Sequence, residues 1–210
     1  MQQYIVEMRI FRTPWAIRLF YPSFIWYMPS GEKKIYLTFD DGPTPDITSK
    51  VLEILRKYNA KATFFCLGNN IKKYPQLFEA IKADGHSIGI HTFHHENGWK
   101  TKTADYVASV DAANAMAETV LFRPPHGRMR PRQIRLLRKK YKIVAWSLIS
   151  YDWDKTLTPE ECFKNIIKKT HDGSIIVFHD SIKACDNMLY TLPKVLQHFH
   201  DKGFTFNSLS

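Results

Sequence analysis

Cysteine is scarce in this chain, and its three copies, Cys66, Cys162 and Cys185, are odd in number and far apart. That pattern gives neither a disulfide framework nor a Cys-x-x-Cys metal knuckle, so reduced thiols are expected. Apolar runs of membrane-spanning length are missing too. The aromatic stretch between Arg18 and Glu32 holds 13 uncharged residues, broken by Pro22 and Pro29, short of the roughly 18 to 20 a spanning helix needs. Glu7, Arg9, Arg12, Pro14 and Arg18 interrupt any signal-type apolar region, and no small-residue cleavage site follows. The expectation is a cytoplasmic or membrane-peripheral protein. Repeats, charged tails and long polar linkers are also lacking, which argues for a single domain over the 210 residues.

Glycine and proline, at 9 and 11, are near ordinary usage, while 44% of the chain is apolar. A packed globular protein is implied, not a disordered or collagenous one. Acidic side chains are absent between Thr119 and Tyr151, where nine of the 30 basic residues fall. The net charge of +10 is therefore mostly one local patch. Arg132, Arg135 and Arg138 recur at helical spacing and read as a solvated helix face. An anionic glycan or acidic lipid surface is the alternative partner. Basic and aromatic residues are not interleaved as stacking platforms, which argues against nucleic acid.

From Lys33 onward, short β-type runs alternate with longer helical ones, the pattern of a largely parallel sheet with crossover helices. Seven strands are expected, at 35–39, 62–66, 87–90, 121–122, 142–147, 174–178 and 204–206. Helices are expected near 46–58, 74–84, 103–118, 131–140, 159–170 and 188–202. Pro75, Pro131 and Pro159 suit first helical turns, and Thr158 with Glu161 forms a capping-box pattern. This periodicity fits both a barrel and an open doubly wound sheet.

Polar clusters follow the strand ends. The first strand runs into Asp40-Asp41-Gly42-Pro43, the third into His91-Thr92-Phe93-His94-His95, and the fourth into Arg123-Pro124-Pro125-His126-Gly127. The fifth is followed by Asp152-Trp153 and the sixth by His179-Asp180. In parallel α/β folds the carboxyl ends of strands carry the active site. Histidines four apart can share a metal, and His91 with His94 is a second geometric option.

Those five pieces, in order, resemble the five motifs of the polysaccharide deacetylase family, also known as the NodB homology domain or carbohydrate esterase family 4. The resemblance spans roughly residues 33–207. It implies a distorted seven-stranded (β/α) barrel in which a divalent cation, usually zinc with cobalt, nickel or manganese as alternatives, assists removal of acetyl groups from sugars. Carried over by position, it makes Asp41, His91 and His95 the metal ligands, Asp40 the general base and His179 the general acid. Arg123 would orient Asp40 and Asp152 would tune His179, although Asp180 is a second candidate for that partnership. Trp153, Val177, Pro125 and His126 would line the substrate pocket, with the backbone after Pro125 offering an N–H to the oxyanion. The domain picture that follows is a catalytic domain at 33–210 with an aromatic and basic segment, 1–32, packed on it.

Ile90, His126, Val177 and Ile149 depart from the family's usual residues and leave the pocket wall, and so the substrate, open. The leading expectation is an N-acetylated glycan substrate of GlcNAc type. A lipid-linked sugar deacylated at the membrane surface, with peripheral contact through residues 1–30, is the first alternative. A catalytically silent carbohydrate-binding homologue is the second. His86, His198, His200 and Cys66 read as structural.

Overall fold

Strand β1, Lys34–Asp40, has six consecutive buried residues, as expected of a parallel strand covered on both faces. In a computed structural model, which describes residues 9–29 and 31–210, β1 is an interior strand of the sheet. It pairs with β2, Ala62–Cys66, on one side and β7, Ile175–His179, on the other. Beyond β2 come β3, Ser87–Ile90, β4, Leu121–Phe122, and β5, Lys142–Ile143; beyond β7 comes β6, Leu148–Ile149. All these pairings are parallel. The short β8, Thr205–Phe206, pairs with the start of β1. The result is a distorted (β/α) barrel.

Alternation along the strands decides what faces where. Ile35, Leu37 and Phe39 of β1, Ala62, Phe64 and Cys66 of β2, and Ile176 and Phe178 of β7 join one outer core with the helices. Those helices include α2, Ile47–Lys57, α4, Pro75–Ala83, α7, Pro159–Lys169, and α8, Cys185–His200. The intervening residues Tyr36, Phe65 and Ile175 form a separate inner cluster with Leu121, Val144 and Leu209. Thr38, Asp40, Val177 and His179 have the same parity as those inner residues. Period two therefore delivers two ionisable side chains to the top of the barrel interior.

A third cluster lies under α5, Thr103–Ala117, and α6, Pro131–Leu137. Thr158 caps α7 as its sequence suggests, accepting from the Glu161 N–H while Glu161 accepts from the Thr158 N–H.

The expected fifth strand, 142–147, is corrected. Only Lys142–Ile143 pairs with β4, and the chain then crosses the open side of the barrel before Leu148–Ile149 pairs with β7. β5 and β6 are the two edges, and an N-terminal stretch closes the seam between them. The Ile25 N–H donates to Ile143 O, the Ala145 N–H to Ile25 O, the Thr13 N–H to Ser147 O and the Ile149 N–H to Phe11 O. Two helices were not anticipated, α1, Trp15–Phe20, and α3, Gly68–Lys73, and α8 starts three residues earlier than expected. The expectation for residues 1–8 and Ser30 lies outside the described residues.

Candidate active site

Asp40 and His179 are Cα neighbours across β1 and β7, and Arg123 enters from the end of β4. Arg123 is fully buried although it sits in the basic stretch of the sequence, so it forms no part of a surface patch. Its guanidinium stacks 4.1 Å from the Phe65 ring centroid. It donates to Asp40 Oδ1 and Thr38 Oγ1, each at 2.7 Å, and to the Ala145 carbonyl at 3.0 Å. Burial raises the Asp40 pKa, but neighbouring positive charge, that of Arg123 first, outweighs it and holds the carboxyl below its ordinary value. Asp40 is thus an ionised carboxylate with its second oxygen facing the cleft histidines: Oδ2 lies 3.9 Å from His91 Nε2.

The next residue takes the opposite course. Asp41 has φ of 78°, a left-handed turn that swings its carboxylate away from the barrel axis toward the loop after β3. Gly42 follows, and any Cβ there would lie 2.0 Å from Asp180 Oδ2, so only glycine fits this approach. Asp41 Oδ1 stands 3.3 Å from His95 Nε2 and 3.8 Å from His91 Nε2. Ligand atoms of the trio all lie within 4.8 Å of one another.

Three observations test whether these residues suit a cation. Asp41 Oδ1 is buried and has no hydrogen-bond donor among the described residues. The Nδ1 of His91 lies 2.8 Å from the Arg123 carbonyl, which can only accept, so Nδ1 carries the proton and Nε2 presents its lone pair. Burial drives the His91 pKa down to about 4, keeping the ring neutral as a ligand must be. Two bonds of ordinary zinc length at a tetrahedral angle place their ligand atoms about 3.4 Å apart, close to the two separations measured. A divalent cation fits.

On the other side of the cleft, Asp152 is fully buried and pairs twice with His179. Its Oδ1 is 2.8 Å from His179 Nδ1, and its Oδ2 accepts the His179 backbone N–H at 2.8 Å. Burial lowers the His179 pKa, yet Asp152 with Asp41 and Asp40 overrides it and lifts the value to about 9. The ring is an imidazolium at neutral pH. Asp180 takes no part in this pair. It accepts from Thr48 Oγ1, and burial raises its pKa to about 8.

Residues 28–146 match the polysaccharide deacetylase family. The chain belongs to that family. A peptidoglycan-N-acetylglucosamine deacetylase of Bacillus cereus is 31% identical over 195 residues, 88% of this chain and 90% of that one. The peptidoglycan-N-acetylmuramic acid deacetylase PdaA of Bacillus subtilis is 33% identical over 193 residues, 85% of this chain and 70% of that one. The crystal structure of the Bc1960 peptidoglycan N-acetylglucosamine deacetylase superposes with a TM-score of 0.81 at 30% identity, covering 89% and 91% of the two chains.

In this polysaccharide deacetylase the trio, Asp40 and His179 share one cleft of about 560 Å³. Trp153 lies edge-on to His179 at 4.6 Å between ring centroids, and Val177 borders the same space. His126, at φ 57°, sets its ring 4.6 Å from that of His95. Pro124 borders the cleft where Pro125 was expected; Pro125 is buried. Arg128, Trp146, Tyr151 and Lys183 also line it and were not anticipated. His86 is structural: its Nδ1 accepts from the Ala62 N–H, and burial lowers its pKa to about 4.

Proposed function

We propose that this chain is a zinc-dependent hydrolase that removes the N-acetyl group from GlcNAc-type units of a glycan. The observation that carries this reading is one cleft holding an ionised carboxylate, the three-residue cation site of Asp41, His91 and His95, and an imidazolium, side by side. The relatives named for peptidoglycan substrates support an N-acetylated glycan. Asp41, His91 and His95 would hold the cation. A divalent ion there polarises the acetyl carbonyl and lowers the pKa of water.

Asp40 accepts a proton from the attacking water. Arg123 keeps it ionised and aimed, since the guanidinium is itself fixed by Thr38, Ala145 and Phe65. His179 starts protonated and gives its proton to the departing sugar nitrogen, while Asp152 fixes the ring and stabilises its charge. Trp153 and Val177 receive the acetyl methyl. Residues 33–210 act as the catalytic domain in this reading, with the described part of the N-terminal segment, from Arg9 on, packed on it.

Acetate release from N-acetylchitooligosaccharide or peptidoglycan tests the proposal. Chelation abolishes it and zinc restores it; no acetate under zinc, cobalt, nickel or manganese refutes it.

A further inference from the structure

The N-terminal stretch that closes the barrel seam also builds a second pocket, of about 260 Å³. Ile17, Tyr21 and Trp26 line its outer wall. Trp146, Ile149 and Tyr151 line it and also line the catalytic cleft. The two cavities are neighbours through a shared aromatic and aliphatic wall, and this one carries little charge.

The outer lip of that pocket is itself apolar. α1 buries none of its residues, and Trp15, Leu19 and Phe20 are 73%, 68% and 80% exposed. Three large apolar side chains on one short helix, covered by no described residue, suit a bilayer interface better than water. Exposed arginines lie on a helix that packs beside the chain just after α1. Tyr21, Phe24 and Trp26 pack into the same cluster as Ile134 and Leu137 of α6, whose Arg132 and Arg135, with Arg138 just past its end, are exposed. Each such residue near an anionic leaflet is worth about fivefold in affinity.

We propose that the second pocket binds the hydrocarbon of a lipid-linked N-acetylated saccharide, with α1 resting on the membrane that holds it. The sugar lies in the catalytic cleft, the apolar carrier passes over Ile149 and Tyr151, and the chain leaves beside α1. This rests on the deacetylase reading and narrows its substrate. Burial of each methylene is worth about fourfold in binding, so a few of them give a measurable preference.

The test compares the zinc-loaded full chain on a soluble N-acetylated saccharide and on its octyl glycoside, below the micelle concentration. The octyl form is expected to show kcat/KM at least about tenfold higher, mainly through KM. Ile17→Glu brings the ratio back toward one and weakens the octyl glycoside's quenching of tryptophan fluorescence. Vesicles of phosphatidylcholine and phosphatidylglycerol sediment the wild-type chain, and Trp15→Ser/Leu19→Ser/Phe20→Ser loses most of that binding. Equal kcat/KM for the two substrates, or a ratio indifferent to Ile17→Glu, overturns the proposal. So does a preference for longer N-acyl groups with none for the aglycone, or a dimer in solution that buries α1. Should neither substrate release acetate, the deacetylase reading falls, and saturable quenching lost in Ile17→Glu decides the pocket alone.

Discussion

Asp40 and Asp41 are adjacent in the chain and opposite in situation. Asp40 is buried with its Oδ1 on Arg123, and across the cleft Asp152 is buried with both oxygens on His179. Asp41 has a buried oxygen with no donor, facing two imidazoles. The first two carboxylates are hydrogen-bonded within the protein, whereas Asp41 Oδ1 finds no donor among the described residues. The difference separates groups that must hold a charge state from groups that must hold a cation. Breaking a buried ion pair leaves an uncompensated charge. Asp41 Oδ1 has no such bond to break.

Substitutions at the two aspartates sharpen this contrast. Asp40→Asn is expected to reduce turnover by about a thousandfold while zinc content, measured by atomic absorption, stays at the wild-type stoichiometry. Near-normal acetate release would place the base elsewhere. Arg123→Met is expected to lower unfolding free energy by about 3–5 kcal/mol, read by urea denaturation. Asp41→Asn in the metal-free protein, by the same measurement, is expected to cost nothing or to stabilise.

Metal addition separates them again. Zinc at about a hundredfold over its dissociation constant stabilises a binding-competent fold by about 2.7 kcal/mol. That gain should appear in wild type and Asp40→Asn and vanish in Asp41→Ala, as a thermal shift would show.

The charge state of His179 gives a pH test. Its folded pKa is raised, to about 9, so the acid form persists at neutral pH and activity falls as pH rises through that value. Asp152→Asn removes the raising carboxylate and should move the alkaline limb of the kcat profile down toward about 6.5. The same sign applies to stability: the His179 contribution is complete below the unfolded value and lost as pH rises through about 9. At the small end, Thr158→Ala removes a helix cap far from the cleft and should cost about 1 kcal/mol with kcat intact.

The parts of the fold legible in sequence are those fixed by local pattern. Strands β1, β2, β3 and β7 carry apolar runs that end in polar turns, and their observed ends fall within a residue of those expected. The fifth strand misled because Ile143 to Ile149 is almost wholly apolar, so nothing local marks where the chain leaves β4 and crosses to β7. α3 is short and polar, Gly-Asn-Asn-Ile-Lys-Lys, and is held by tertiary contacts: the Gly68 N–H donates to Thr92 O and the Asn70 side chain to Asp41 O.

The site divides the same way. Asp40, Asp41, His91, His95, Arg123 and His179 sit at or just past strand ends, where topology alone brings them together. Spacing could not choose between Asp152 and Asp180 as partner of His179; the hydrogen bonds to Asp152 do. Trp146, Tyr151 and Lys183 reach the cleft from loops whose direction depends on barrel curvature, for which no sequence signal exists.

Anomalous diffraction at the zinc edge, on crystals grown with zinc, decides whether Asp41, His91 and His95 hold the cation. A single strong peak is expected about 2.0–2.2 Å from an Asp41 carboxylate oxygen, His91 Nε2 and a His95 ring nitrogen, with Asp40 outside the coordination sphere. A peak bound by Asp40 in place of Asp41, or no peak at this trio, would contradict that assignment.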